Sequence, residues 1–332
     1  MTRSKGSALF VVVTLLVVLG RAGCIPEEIP VSIQDYYPPK NETTAHPDIS
    51  SAPEYSSTPV ATHTPSTIIV GSFNIQIFGT AKASRPEVMS YLVDIARRFD
   101  VLAIQELKNQ DQTVIRQFMN EINSDGSQFG CIVGPRQGYT NNKEQYAVIF
   151  DTTKLAITTP HYISTNPGNR MHRPPLVTSF QCLQAPPGRG FSFTLLNIHT
   201  DPDVVLDEFG ALQRIMPTVF PNHPGEDDFI LLGDFNETES QIRRFRWLPN
   251  QLALVRNHWA TKVRSRRSID NIVIDGVRTA EFQNQSGVLD FAAQFGLSES
   301  EALRISDHFP VWAVFSTVEA QNRLVDQNGQ PI

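Results

Sequence analysis

Short apolar runs that close on polar residues recur along this chain. Ile68-Ile69-Val70 leads into Gly71-Ser72-Phe73-Asn74, and Val101 to Ile104 into Gln105-Glu106. Leu195-Leu196-Asn197-Ile198 ends on His199, Ile230-Leu231-Leu232 on Gly233-Asp234-Phe235-Asn236, and Ser268-Ile269 on Asp270-Asn271. Near the end, Ile305-Ser306-Asp307-His308-Phe309-Pro310 precedes the run Val311 to Phe315. Runs of this length, bounded by turn-forming residues, predict buried strands. Strands are expected over 67–75, 101–105, 129–133, 145–150, 176–180, 191–199, 228–233, 269–274 and 309–315. Between them, Val88, Leu92 and Ile95 fall at helical spacing behind Ser84-Arg85-Pro86-Glu87, which has capping-box form. Val114, Ile115, Phe118, Met119 and Ile122 mark a second amphipathic helix, and 204–218 a third. Residues 161–174 read as loop. Strands and helices alternate, yet several neighbouring strands are joined at hairpin length. That combination implies an α/β fold with mixed sheets.

The flanks differ from this pattern. Residues 1–23 read as an export signal: Arg3 and Lys5, an apolar core from Ala8 to Gly20, then small residues. Cys24 follows Ala22-Gly23 as in a lipoprotein site, although Arg21 stands where an aliphatic residue is usual, so a lipid anchor at Cys24 and free secretion (or a periplasmic location) are both open. Residues 24–66, rich in Pro, Ser and Thr, read as a disordered tether. Residues 67–316 are expected to form one domain, and 317–332 a polar, frayed tail. Cys131 and Cys182 lie in strand-like runs, either disulfide-bonded or as buried thiols, and no Cys/His cluster has structural-zinc spacing.

A net charge of −6 argues against a generally basic nucleic-acid binder. The distribution qualifies this, because 241–267 holds Arg243, Arg244, Arg246, Arg256, Lys262, Arg264, Arg266 and Arg267 and no acid. A basic block beside an acidic metal site suits a phosphodiester polymer; a solvated basic face is the plainer reading.

The strand ends carry the chemistry that phosphodiester hydrolysis needs. A hard cation takes oxygen ligands, which Asn74, Glu106, Asp234, Asn236 and Asp307 supply. Proton transfers require groups such as His199 and His308, and each imidazole needs a partner on its other nitrogen, for which Glu144 and Asp270 are available.

At these residues the chain resembles the endonuclease/exonuclease/phosphatase superfamily, in its deoxyribonuclease I-like branch. Ser72 to Gly79, Lys143-Glu144-Gln145-Tyr146, Gly233-Asp234-Phe235-Asn236 and the stretch from Leu289-Asp290-Phe291 through Phe295-Gly296-Leu297-Ser298 to Pro310 carry the likeness. The resemblance implies a four-layered α/β/β/α sandwich of two packed mixed sheets. It implies that Glu106, with Asn74 and Asp307, holds Mg²⁺ or Mn²⁺. His199 and His308 would form the acid–base pair, oriented by Glu144 and Asp270, while Asp234 and Asn236 hold the phosphate, the water or a second ion. Arg173 matches a phosphate-contacting arginine, and Arg264, Arg266 and Arg267 would border the DNA. DNA is the implied substrate; no stable protein partner is implied, and a monomer is expected. Departures exist. The branch's disulfide near Gly-Asp-Phe-Asn is absent, and its acidic calcium loops are replaced by 165–171, with no acid, and by the basic stretch before Asp270, so structural Ca²⁺ is not expected. Lys108 stands where a minor-groove arginine is usual, keeping charge but losing the fork, and Asn142 replaces a DNA-stacking tyrosine. The expected activity is an exported, metal-dependent DNA endonuclease. A phosphatase or phospholipase acting on a small phosphoester or lipid head group is the alternative within the superfamily. A non-catalytic binding module is disfavoured because every expected catalytic position is filled.

Overall fold

The structure is a computed structural model that describes residue 64, residues 66–139 and residues 143–320. The expected export signal, the tether with Cys24, Asn142 and the tail beyond 320 lie outside the described residues.

Twelve strands form two six-stranded sheets. They are β1 (Thr67–Phe78), β2 (Val101–Leu107), β3 (Phe129–Val133), β4 (Gln145–Asp151), β5 (Leu155–Ile163), β6 (Leu176–Cys182), β7 (Ser192–His199), β8 (Phe229–Asp234), β9 (Gln251–Ala253), β10 (Asp270–Asp275), β11 (Phe282–Val288) and β12 (Val311–Ser316). The first sheet runs β11-β12-β1-β2-β4-β3 and the second β5-β6-β7-β8-β10-β9. Each is mixed, because β1–β2 and β7–β8 pair in parallel and the other pairs are antiparallel. The main helices are α1 (Pro86–Ala96), α2 (Thr113–Ile122), α3 (Val205–Val219), α4 (Phe291–Phe295) and α5 (Glu299–Ile305). Two packed mixed sheets with flanking helices are the architecture the resemblance implies.

The layering follows from the two-residue period of the strands. Leu195, Ile230, Leu232, Ile272 and Ile274 of the second sheet join the core shared with the first sheet. Their strand neighbours Leu196, Leu231 and Val273 point the other way, onto Phe209, Leu212 and Ile215 of α3. A strand covered on both faces reads as a continuous apolar run, which is why β8 is so plain in the sequence. The interface between the sheets is not wholly apolar. Asn197 of β7 donates from Nδ2 to the carbonyls of Ile104 (3.1 Å) and Ala147 (3.2 Å) in the first sheet. It accepts at Oδ1 from Gln105 Nε2 at 2.7 Å, and the same Gln105 amide reaches Ser72 Oγ at 3.0 Å.

Several expectations change. Helix α1 starts at Pro86 with Arg85 as its cap, and Ser84 caps nothing in it. Proline at the first helical position sets the start, while Ser84 closes the preceding turn, Thr80–Ala83. The working capping box is Ser298 with Glu301, at the start of α5. Part of the expected loop 161–174 is strand, since β5 runs to Ile163. Cys131 and Cys182 are free thiols, and burial pushes each up to about 12. The start of the expected tail is bonded into the fold: Thr317 N donates to Ser66 O at 2.9 Å, and Glu319 N to Arg189 O at 2.9 Å.

Candidate active site

Strand register assembles half of the site. His199 of β7 lies opposite Asp234 of β8, and Asp234 lies opposite Asp270 of β10. Three functional side chains thus come side by side at one end of the second sheet. Gly233 is required there: its φ is +148°, and a Cβ would sit 1.8 Å from Ile198 O. Across the interface, Asn74 of β1 and Glu106 of β2 close the matching end of the first sheet. An unbroken strand would send Gln105 and Glu106 to opposite faces. Irregularities break the β1–β2 and β2–β4 ladders at this place, with Gln76 (φ 40°), Ile77 (φ 52°) and Glu106 (φ 62°) in the left-handed region. These bends leave Gln105 between the sheets and turn Glu106 toward the site. Left-handed non-glycine residues cost on the order of 1–3 kcal/mol each and gather at functional sites.

The last contributor is the turn between α5 and β12. Ser306 Oγ donates to Asn74 O at 2.6 Å and accepts from His308 N at 3.1 Å, fixing Asp307-His308 against β1. On the other side, Val263 N donates to Asp307 O at 2.9 Å and Phe309 N to Thr261 O at 2.7 Å.

The two histidines are arranged alike. His199 Nδ1 lies 2.5 Å from Glu144 Oε1, and His308 Nδ1 lies 2.8 Å from Asp270 Oδ2. Each Nε2 then points at one atom, Asp234 Oδ2, from 3.6 Å and 3.5 Å respectively. Asn74 Nδ2 donates to that same oxygen at 3.0 Å. All three carboxylates are buried, and so are both rings. Burial alone lowers an imidazole's proton affinity, but the charge of Asp270 and then that of Asp234 push His308 up to about 9. His199 moves the same way: burial opposes, and Glu144, then Asp234, raise it. Asp234 is held below the usual carboxylate range despite burial, by His308 and then His199. Glu106 is likewise lowered against burial, chiefly by His199 and the N–H of Ile77.

The donor set fits a hard divalent cation. Glu106 is anionic and its oxygens are oriented by Ile77 N (2.9 Å) and Asn74 Nδ2 (3.2 Å). Asp307 Oδ1 is buried with no hydrogen-bond partner, an oxygen suited to an ion. Two expected roles look different in the structure. Asn74 presents its N–H₂ to Glu106 and Asp234, while its Oδ1 accepts from Gln76 N at 2.9 Å. Arg173 turns inward, donating to His199 O and Thr200 O at 3.0 Å each and pairing with Glu144 at 3.3 Å. It braces the His199–Glu144 pair from behind. Asn236 (φ 52°) donates to Thr200 O at 2.8 Å, and Lys108 pairs with Glu106 at 3.6 Å.

Two lysines belong to this constellation and escape a motif reading. Lys82 Nζ donates to Ile75 O and Ile305 O, both at 2.6 Å, tying β1 to the end of α5; burial, partly offset by Glu106 and Asp307, lowers it to about 8. Lys262 Nζ bonds Asp307 Oδ2 and lies 3.0 Å from His308 Nε2. Nothing adjacent in sequence marks Lys82, and the basic block around Lys262 does not say which of its members reaches the site. Gln105 and Asn197 did leave a signal, as single amides inside otherwise apolar strands. The basic block is less open than its composition suggests: Arg243 and Arg256 pair with Glu239, Arg264 with Glu299, and Lys262 with Asp307. After Lys262, which touches Asp307 and His308, Arg267 also reaches a site residue, with its guanidinium 3.5 Å from Asn236 O.

The class that this fold and site define is also what comparison with known proteins gives. The sequence profile of the Endonuclease/Exonuclease/phosphatase family matches residues 71–308, and the chain belongs to that family, in its deoxyribonuclease I-like branch. Deoxyribonuclease-1-like 1 of Sus scrofa is 33% identical over 254 residues, spanning 72% of this chain and 78% of that protein. Deoxyribonuclease gamma of Rattus norvegicus is 29% identical over 257 residues, 72% of this chain and 82% of the relative. Among solved structures, the human Nocturnin catalytic domain superposes with a TM-score of 0.54 at 14% identity, covering 76% of this chain and 93% of that one, a likeness of fold.

Proposed function

We propose that this protein is an exported endonuclease that hydrolyses phosphodiester bonds in DNA with the aid of a divalent cation, Mg²⁺ or Mn²⁺. The observation that carries the reading is the pair of imidazoles, each seated on a buried carboxylate and aimed from either side at Asp234. The similarity to proteins named deoxyribonuclease supports DNA as the substrate.

In this mechanism Glu106 and Asp307 would hold the cation, and Asn74 keeps Glu106 in place. Such an ion would supply charge neutralisation at the phosphate oxygens. His199 and His308 divide the two proton transfers, one taking the proton of the attacking water and the other protonating the leaving oxygen. Glu144 and Asp270 fix the tautomer of each ring, leaving Nε2 to face the substrate. Asp234 lies where the two Nε2 atoms converge and orients the water or the phosphate together with Asn236. Arg173 is a positioning residue behind His199. The deciding experiment incubates supercoiled plasmid with the protein and Mg²⁺. Open-circle product is expected; release of phosphate from small phosphoesters without plasmid nicking would reject the endonuclease in favour of a phosphatase. The export reading rests on the charged, apolar and small-residue succession of 1–23. It predicts a mature chain beginning near residue 24, read from the intact mass of exported protein; a retained N-terminus would overturn it.

The ion pairs of the basic block set its expected effect on DNA. Of Arg264, Arg266 and Arg267, the last two are the ones left to face phosphates, since Arg264 is paired with Glu299. Affinity should fall with salt at a log–log slope of roughly −0.9 per phosphate contact. Replacing Arg266 and Arg267 with Ala should flatten the slope by about two units and raise KM, with a smaller change in kcat. Adding Arg264→Ala should contribute less than a full unit. An unchanged slope and KM would remove the block from the DNA surface.

A further inference from the structure

Far from the histidines, carboxylates converge at the other end of the sheets. Asp228 immediately precedes β8, whose last residue is Asp234; six residues of strand separate them by about 20 Å. Asp228, Glu281 and Glu319 bring carboxylate oxygens within 4.8 Å of one another, and so do Glu226, Asp227 and Asp228. The contributors come from separate parts of the fold. Asp228 leads into the second sheet, Glu281 precedes β11 of the first, and Glu319 follows β12.

The cluster is held in place from outside. Glu319 Oε2 accepts from Ser192 N at 3.1 Å, Glu281 Oε1 from Ala320 N at 2.6 Å, and Glu226 Oε1 from Asp228 N at 2.9 Å. What these bonds leave over is informative. Asp228 is 1% exposed and Glu281 2%, yet Asp228 Oδ1 and Glu281 Oε2 are buried with no hydrogen-bond partner. An unsatisfied buried oxygen is costly, and more so when charged, so its retention needs an explanation such as an ion. After burial, the charges acting on Asp228 come from Glu281, Asp227, Glu226 and Glu319, all of one sign. Glu226, Asp227 and Glu319 remain half-exposed, which leaves the cluster open to solvent.

We propose that Asp228, Glu281 and Glu319, with Glu226 beside them, form a structural calcium site that fastens the two sheets and the segment after β12 together. An all-carboxylate, irregular set of oxygens suits Ca²⁺, which accepts 6–8 ligands in flexible geometry; Mg²⁺ demands an octahedron and keeps its water. The acidic loops whose absence argued against structural calcium lie elsewhere in the chain, so this site replaces them and does not restore them.

The test is thermal unfolding of the full chain in EGTA and in millimolar Ca²⁺. A ligand at a hundredfold excess over Kd should raise the Tm by roughly 5–10 °C for a domain of this size. Glu319→Gln and Asp228→Asn should each lose most of that rise. In EGTA they should melt at or above the wild-type temperature, because each relieves repulsion between like charges. This inversion separates an ion ligand from a residue that merely packs, and Glu319, being half-exposed, keeps the test usable if Asp228→Asn fails to fold. Plasmid nicking in Mg²⁺ should stay near wild type in Glu319→Gln. No change in Tm with Ca²⁺, or an equal rise in Glu319→Gln, would overturn the site; an equal rise with Mg²⁺ would overturn its assignment to calcium.

Discussion

His199→Ala and His308→Ala are each expected to reduce plasmid cleavage by about 10²–10⁴-fold, the usual contribution of a general acid or base. Each ring is fixed at Nδ1 by a buried carboxylate and has its Nε2 directed at Asp234 Oδ2, so neither can be replaced by a neighbour. The loss should appear in kcat, with KM for DNA little changed, because the rings act on protons and not on the polymer's phosphates. Removing a buried imidazole also strands its partner. His308→Ala leaves Asp270 without its cation, and breaking a buried pair from one side costs about 3–5 kcal/mol. The control is therefore His308→Ala combined with Asp270→Asn, which removes the stranded charge. That double variant should regain stability, seen as a higher Tm than the single one, and regain no activity. Near-wild-type rates in either single variant would remove the acid–base assignment. Recovery of cleavage in the double variant would show that the single change acted through the fold.

The central strands were legible because burial on both faces writes a continuous apolar run, as in Ile230-Leu231-Leu232 of β8. The edges were not. Strand β5 mixes exposed and half-buried positions and contains Pro160, and β11 reads Phe-Gln-Asn-Gln-Ser-Gly-Val; such strands satisfy one neighbour and face water on the other side, so their pattern is loop-like. The short helices α4 and α5 carry too few turns for a period to show. For the site, residue types and strand-end positions were readable, and strand register did bring His199, Asp234 and Asp270 together. Direction was not readable. Nothing local in Gln105-Glu106 says which of the two faces the site; that follows from left-handed backbone at Glu106 and a broken ladder, which depend on β1 and β4. The inward turn of Arg173 and the amide orientation of Asn74 are likewise set by partners distant in sequence. Charge counting misled for the same reason, because Glu239 and Glu299 lie outside the window 241–267 and neutralise residues within it.

Glu106→Gln is expected to weaken metal binding more than any other single change at the site. A hard cation prefers an anionic oxygen to an amide, and Gln keeps the size of the side chain while removing its charge. Gln can still accept from Ile77 N, so the bend at the end of β2 should survive and the Tm should change little. Asp307→Asn is the informative comparison. Asp307 is bonded directly by Lys262, whereas Lys108 stands off from Glu106 at 3.6 Å, so Glu106 keeps more of its negative charge for the ion. Loss of even an outer partner of a metal site costs about 10–100-fold in affinity or activity, and loss of the main ligand should be at least that large. Calorimetric titration with Mn²⁺ reads the binding directly, and the Mg²⁺ concentration for half-maximal nicking reads it in the working enzyme. Both should move upward by that factor in Glu106→Gln and by less in Asp307→Asn. Excess EDTA should abolish cleavage by the unaltered protein. Full activity in EDTA would reject a metal-dependent reaction altogether. A metal titration unchanged by Glu106→Gln would instead shift the ion toward Asp307 and Asp234, leaving the bend at Glu106 without a function to explain its cost.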